Sequence, residues 1–266
     1  YVLSTYRDHA HALAVGTSPR EVMAELMGRT TGCAGGKGGS MHLINPQRGF
    51  LGGDGIVGGP VPVAVGVGYA IKYRGDGAVC VCYFGDGAMN QGGVHEALNM
   101  AGLYRLPVLF ILENNGYAMG TSVERSTGQT DFLLKARAHG IEAERVDGMD
   151  PLAVRSRAEA IIGAVRNEVK PFFLEMRCYR YAGHGVADNA QQQRFYRTEE
   201  EIEAWRARDP LEQLRKHLLA TGELDEAAIE RMDNEAKDAV EDAIQFAEAS
   251  PPPPPEALYE HVYAEG

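Results

Sequence analysis

The sequence predicts an α/β fold built on a doubly wound, mostly parallel sheet, and three adjoining stretches predict it. Residues 79–84 (VCVCYF) are short and rich in strand formers. Residues 90–104 place Val94, Ala97, Leu98 and Ala101 at helical spacing, and residues 107–112 (PVLFIL) form a second buried strand. Strand, helix and strand at this length make a βαβ unit with a right-handed crossover and parallel strands. Parallel strands bring their carboxyl ends to one edge of the sheet. Asp86, in Gly85-Asp86-Gly87, and Asn115, closing Glu113-Asn114-Asn115, are therefore expected side by side where open α/β sheets bind ligands.

The remaining elements follow in order. Residues 2–5 are strand-like and lead to Tyr6, Arg7, His9 and His11; histidines two apart are by themselves ordinary solvated or hydrogen-bonded residues, and His11 is expected at the surface. Ser18-Pro19-Arg20-Glu21 opens a helix with a capping box, with Val22, Leu26 and Met23 as its inward face and Gly28 at its end. Residues 32–39 consist of Gly, Cys, Ala and Lys, but Lys37 is followed by Gly38, so this is not a Walker A loop. Gly53-x-Gly55-x-x-Gly58 matches the dinucleotide fingerprint, with a helix over 61–73 behind it. Turn chemistry at 45–49 leaves no convincing strand ahead of it, which weighs against a dinucleotide site.

Residues 120–129 are a polar loop, 132–140 a short helix, and 142–146 lead into a turn at 147–151. A helix over 152–169 and a strand over 172–176 continue the alternation, and Arg180 and His184 lie in the loop after that strand. From Thr198 the character changes: a capping box opens a helix reaching about 208, another runs from Asp209-Pro210 to Thr221-Gly222, and the longest covers 225–249. A polyproline spacer at 251–255 precedes a last segment at 258–263. The expected division is an α/β domain over 1–196 with a helical extension over 197–266 packed on it.

Composition narrows the function. At 266 residues and 44% hydrophobic content the chain can bury a full core. A net charge of −11 argues against nucleic acid or an anionic membrane as partner. No apolar run approaches the roughly 20 residues of a membrane span, and no signal peptide is visible. Cys33, Cys80, Cys82 and Cys178 fit no zinc or CxxC spacing, so they are expected as free thiols in a reducing compartment.

One carboxylate flanked by glycines and one amide at adjacent strand ends is a sparse ligand set for Mg²⁺, which completes its octahedron with waters and phosphate oxygens. The glycines admit close approach of a ligand, and N–H groups opening the next helix suit a diphosphate. The alternative on spacing alone is structural: Asp86 caps the helix and Asn115 closes a turn.

The stretch GDGAMNQGGVHEALNMAGLYRLPVLFILENNGYAMGTSVER resembles the alpha subunit of thiamine-diphosphate-dependent 2-oxo acid dehydrogenases, and the likeness runs on through TYRDHAHAL, GGKGGSMH, GGDGIVGG, VDGMD, YRYAGH and YRTEEEI. The resemblance implies the thiamine-diphosphate-binding fold, with Mg²⁺ on Asp86, Asn115 and the carbonyl of Tyr117. It implies main-chain contacts from Gly87 and Ala88 to the diphosphate and from Gly55 and Val57 to the aminopyrimidine. Tyr6, Arg7, Arg180 and His184 correspond to cofactor contacts, and His9 and His184 are the catalytic candidates. Lys37, Ser40 and His42 acquire no assigned role.

Where the family shows HGHS this chain has Ala182 and Gly185, so no inhibitory phosphorylation is expected there. The loop 189–195 is expected to be mobile until cofactor binds. A start at Tyr1, where the family has a preceding helical segment, suggests an N-terminal truncation. The implied reaction is oxidative decarboxylation of a small 2-oxo acid, most like pyruvate. Acetoin or branched-chain relatives are the alternative. The implied partners are a beta subunit in an α₂β₂ heterotetramer and a lipoylated dihydrolipoyl acyltransferase, in the bacterial cytoplasm or a matrix-type compartment.

Overall fold

The computed structural model describes residues 1–188, 195–260 and 262, so most of the 189–195 loop and part of the 258–263 segment lie outside it. It separates into two compact units: Tyr1, Leu3 and Ile56–Asp225 form one, and Val2, Ser4–Gly55 and Glu226–Gly266 the other.

In the first unit β3 (Cys80–Gly85), β4 (Val108–Asn114), β7 (Glu142–Asp147) and β8 (Phe172–Arg177) are ordered β3-β4-β8-β7, each pair parallel. β4 lies between β3 and β8, and its residues 108–112 are all buried, which is why it reads as a continuous apolar run. Leu109 and Ile111 pack with Ile161 and Val165 of α7 (Pro151–Glu168), and with Phe172 and Leu174. Each such side chain contributes about 1.5–3 kcal/mol on full burial. α3 (Pro60–Arg74) contacts β3 and comes so close to β4 that a Cβ on Gly68 would stand 2.4 Å from Val108 Cγ2. α4 (Gly92–Tyr104) buries the predicted Val94, Ala97, Leu98 and Ala101. Phe84 meets Phe173 edge-on at 6.1 Å.

The polar 120–129 stretch is more ordered than expected. β5 (Tyr117–Ala118) and β6 (Thr121–Ser122) pair antiparallel, followed by the turn of helix α5 (Val123–Ser126). Next comes α6 (Phe132–Arg137). α8 (Glu199–Arg206) and α9 (Pro210–Thr221) complete this unit. Thr198 caps α8 by accepting from Glu201 N–H, but the reciprocal half of the expected box is missing because the Glu201 carboxylate is engaged elsewhere.

In the second unit β1 (Val2–Thr5) and β2 (Phe50–Asp54) pair in parallel, Val2 with Phe50 and Thr5 with Asp54. The segment that carries the first glycine of the fingerprint is therefore itself a strand, contrary to expectation. The turn at 46–48 is a separate 3-10 turn that delivers the chain into it. α1 (His9–Ala14), α2 (Pro19–Leu26) and α10 (Glu226–Ala249) complete the unit, with Ala12, Val22, Leu43 and Phe50 as a small core. The Ser18–Glu21 capping box forms as predicted. The inward face of α2 is only partly as expected: Val22 is buried, but Leu26 is exposed, Met23 is half-buried, and Ala24 and Glu25 are buried in their place. His11 is not a free surface residue either, since its Nδ1 lies 2.7 Å from Ser4 Oγ and burial lowers its pKa.

Candidate active site

Register decides what meets at the sheet edge. Gly85 pairs with Glu113 and Asn114 with Arg177, so the chain leaving β3, β4 and β8 emerges in one row. Asp86 begins a 3-10 turn (Asp86–Asn90) and is buried at 3% exposure. Asn115 N–H donates to Asp86 Oδ1 at 3.3 Å, and Asn115 Oδ1 accepts from Tyr117 N–H at 3.1 Å. Asp86 does not cap α4: the capping position is Gln91, without a side-chain bond. Asn115 does close a turn, so half of the purely structural alternative is realised. Gly87 is required by close approach, because a Cβ there would lie 2.6 Å from that of Ala118. Burial raises the Asp86 pKa, opposed by its hydrogen bonds from backbone N–H groups and by Arg180, and reinforced by Glu124.

Arg180 reaches into the same region. Its Nη2 donates to Met119 O at 2.8 Å, and its Nη1 lies 3.5 Å from Tyr117 O. The Tyr117 hydroxyl donates to Glu201 at 3.0 Å, and the Tyr179 hydroxyl donates to the same carboxylate at 2.9 Å. Burial and Glu201 push the Tyr117 phenol up to about 12. Trp205 stacks on Tyr179 at 5.2 Å. A cavity of about 320 Å³ is lined by Asn115, Tyr117, Glu124, Arg177, Tyr179 and Glu201 among others. Arg197, 4% exposed, donates to the carbonyls of Arg180, Tyr181 and Ala182 and so shapes the loop that carries Arg180. His184 N–H donates to Asp188 Oδ2 at 2.9 Å, as does the Tyr196 hydroxyl at 2.6 Å, and both hold the Asp188 carboxyl below its usual range. Ala88 is buried, whereas Val57 is 49% exposed.

Tyr6, Arg7, His9 and Gly55 belong to the second unit. His9 Nε2 lies 2.9 Å from Ser40 Oγ and 3.0 Å from Ser40 O, and 3.9 Å from Asp8 Oδ1. Asp8 is fully buried: Oδ2 accepts from Leu43 N–H at 3.0 Å, while Oδ1 has no hydrogen-bond partner among the described residues. A Cβ on Gly53 would strike Asp8 Oδ2 at 1.9 Å, and one on Gly55 would sit 3.4 Å from the His42 ring. The Arg7 guanidinium stands 5.7 Å from the Tyr6 ring. Lys37 turns away to the Ala257 carbonyl, 3.1 Å from its Nζ.

Three residues escaped the sequence reading. Glu201 is part of a helix-start pattern that masks its other role, and Arg197, just ahead of that pattern, carries no signal of its own. Glu25 lay on a helix face assigned to Leu26, and its only available signal was its spacing of three from Val22.

The whole chain bears out the local resemblance. The family described as "Dehydrogenase E1 component" matches residues 1–256. The pyruvate dehydrogenase E1 component subunit alpha of Rickettsia bellii is 44% identical over 262 residues, covering 98% of this chain and 79% of that one. Its counterpart in Zymomonas mobilis is 46% identical, covering 98% and 73%. The somatic mitochondrial form of Bos taurus is 43% identical, covering 99% and 66%. The chain belongs to the dehydrogenase E1 component family.

Proposed function

We propose that this chain is the alpha subunit of a thiamine-diphosphate- and Mg²⁺-dependent pyruvate dehydrogenase. It would act with a beta subunit in an α₂β₂ heterotetramer and pass an acetyl group to a lipoylated dihydrolipoyl acyltransferase. The supporting observation is the pairing of buried Asp86 with Asn115 at adjacent parallel strand ends, in a chain whose relatives are named for pyruvate. Among the described residues no three His, Cys, Asp or Glu side chains converge on a metal position. A cation at this edge would thus rest on one carboxylate with amide and carbonyl oxygens, a donor set that suits Mg²⁺. The residues fit the group.

Asp86, Asn115 and the Tyr117 carbonyl would hold the metal. Gly87, Ala88, Arg7, Arg180 and His184 are assigned to the diphosphate of the cofactor, and Tyr6 is assigned as a further cofactor contact. Gly55 and Val57 offer backbone groups to its aminopyrimidine. When bound, thiamine diphosphate supplies the carbon nucleophile and the electron sink for decarboxylation. His9 and His184 would orient or move protons around the reacting substrate. We place the protein in the bacterial cytoplasm or an organellar matrix, and no described helix is long and apolar enough to cross a membrane. A functional boundary near residue 196 belongs to the same reading, and truncation there tests it.

Supply of β2 removes one objection to a dinucleotide site, but Gly53 lies inside that strand instead of after it, and the Asp86–Asn115 pair would have no role. Acetoin and branched-chain 2-oxo acids are the competing substrates. Co-expression with a beta subunit, then rates on pyruvate, acetoin and 3-methyl-2-oxobutanoate, decides among them. Pyruvate is expected fastest, the chain alone inactive, and calorimetry of thiamine diphosphate with Mg²⁺ positive on the assembled pair. Absence of binding would make the chain a scaffold and overturn the reading.

A further inference from the structure

The loop over residues 32–39 looks like a phosphate loop, yet its donors are already taken. Glu25, on α2, is fully buried. Its Oε2 accepts from the N–H groups of Ala34 and Gly36, both at 2.8 Å, and its Oε1 from Gly38 at 2.7 Å and Gly39 at 3.0 Å. Two oxygens each holding two backbone donors is how a concave nest of N–H groups receives an anion. The fit leaves no slack. A Cβ on Gly32 would lie 2.3 Å from Glu25 Oε2, one on Gly36 2.6 Å from Arg29 O, and one on Gly38 2.6 Å from His42 O. The residue after Gly39 is Ser40, whose hydroxyl and carbonyl both meet His9 Nε2.

We propose that Glu25 is a positioning residue of the active site: its carboxylate takes the anion's place in the backbone nest and so fixes Ser40 against His9. The loop is then an internal scaffold with its anion site filled by the chain itself, and it is not available to a substrate or cofactor phosphate. The inference rests on the assignment of His9 to the active site. A carboxylate is required in this role. In Glu25→Gln one end of the side chain becomes an NH₂ group facing two N–H donors, which breaks half the nest while keeping size and shape.

The test uses the assembled alpha–beta complex. Glu25→Gln should lower kcat for pyruvate oxidation at least tenfold with KM for pyruvate little changed. The same substitution in a Ser40→Ala background should cost less than in wild type, because one of the two contacts it acts through, the hydroxyl, is gone while the carbonyl remains. Glu25→Gly should regain much of its lost activity in sodium formate but not in sodium chloride of equal ionic strength, since formate presents the missing carboxylate to the same donors. Wild-type rates in Glu25→Gln, or a loss that formate does not relieve and Ser40→Ala does not lessen, would overturn the proposal. Two readouts stand apart from turnover: hydrogen exchange at residues 34–39, and the His9 ring resonances in ¹³C-histidine spectra, identified with His9→Asn. Glu25→Gln should speed the first and move the second. If the wild-type complex fails to oxidise pyruvate while these changes appear, the functional reading fails and the nest stands; if they are absent, the nest fails whatever the activity.

Discussion

Asp86, at the tip of β3, and Glu25, on α2, are both carboxylates withdrawn from water, and they differ in how they are compensated. Glu25 receives four backbone donors, and Glu175, equally buried, receives Arg145 at 2.7 Å and the Asn114 amide at 2.7 Å. At Asp86 the backbone donors and Arg180 do not offset burial, so its pKa is raised. Glu25, saturated with donors, is suited to hold the backbone still, whereas the undercompensated Asp86 suits the cation proposed for this edge. That difference would mark Asp86 as ligand and Glu25 as scaffold.

The comparison can be broken most directly at Asp86. Asp86→Asn should lower activity of the assembled enzyme by at least about a hundredfold, with Mg²⁺ affinity falling in parallel by calorimetry. Without cofactor the same variant should melt no lower than wild type at pH 7. The sign follows from the raised pKa: what the protonated Asp86 contributes to stability is fully present below its unfolded value of 3.8 and is lost as pH rises through its higher folded value. The gain from Asp86→Asn should accordingly shrink as a melt is acidified toward pH 4. A large loss of cofactor-free stability would place Asp86 in the scaffold class.

Glu25→Gln should do the reverse, costing about 2–4 kcal/mol of cofactor-free stability by leaving two buried donors without acceptors. Chemical denaturation measures it, and no change would remove the contrast. Tyr117→Phe, which deletes one hydroxyl on the Glu201 carboxylate, should cost about 1–2 kcal/mol. Because that phenol is raised from 10.0 to about 12, the difference from wild type should persist to pH 10 and fade as pH rises toward 12. A shift in emission of the single tryptophan, Trp205, should accompany it through Tyr179. The smallest effect is expected from Arg20→Ala, whose two 2.6 Å bonds to Asp242 are exposed on both sides, and a thermal melt should scarcely register it.

The βαβ core was legible because its signal is redundant: strand formers, helical spacing and glycine-bounded tips all agree from Val79 to Asn115. β2 was not, because Gly52 and Gly53 give no strand propensity and the segment is a strand by virtue of pairing with β1. Asp86 and Asn115 were found because strand ends are predictable. Glu25 and Glu201 were missed because a side chain that serves distant groups leaves no periodic trace. Glu201 had even been read as a cap, a local role that two tyrosine hydroxyls outcompete.

The burial that shapes the sheet also governs its sulfur chemistry. Cys80 and Cys178 are pushed up to about 12, Cys82 well above 9.0, and Cys33 is raised by the same withdrawal from solvent. At neutral pH all four are therefore expected as thiols and not thiolates, which lowers their reactivity. The molecule should tolerate air and alkylating dyes, so one cysteine engineered onto its surface would label selectively and serve as a fluorescent handle against a quiet background.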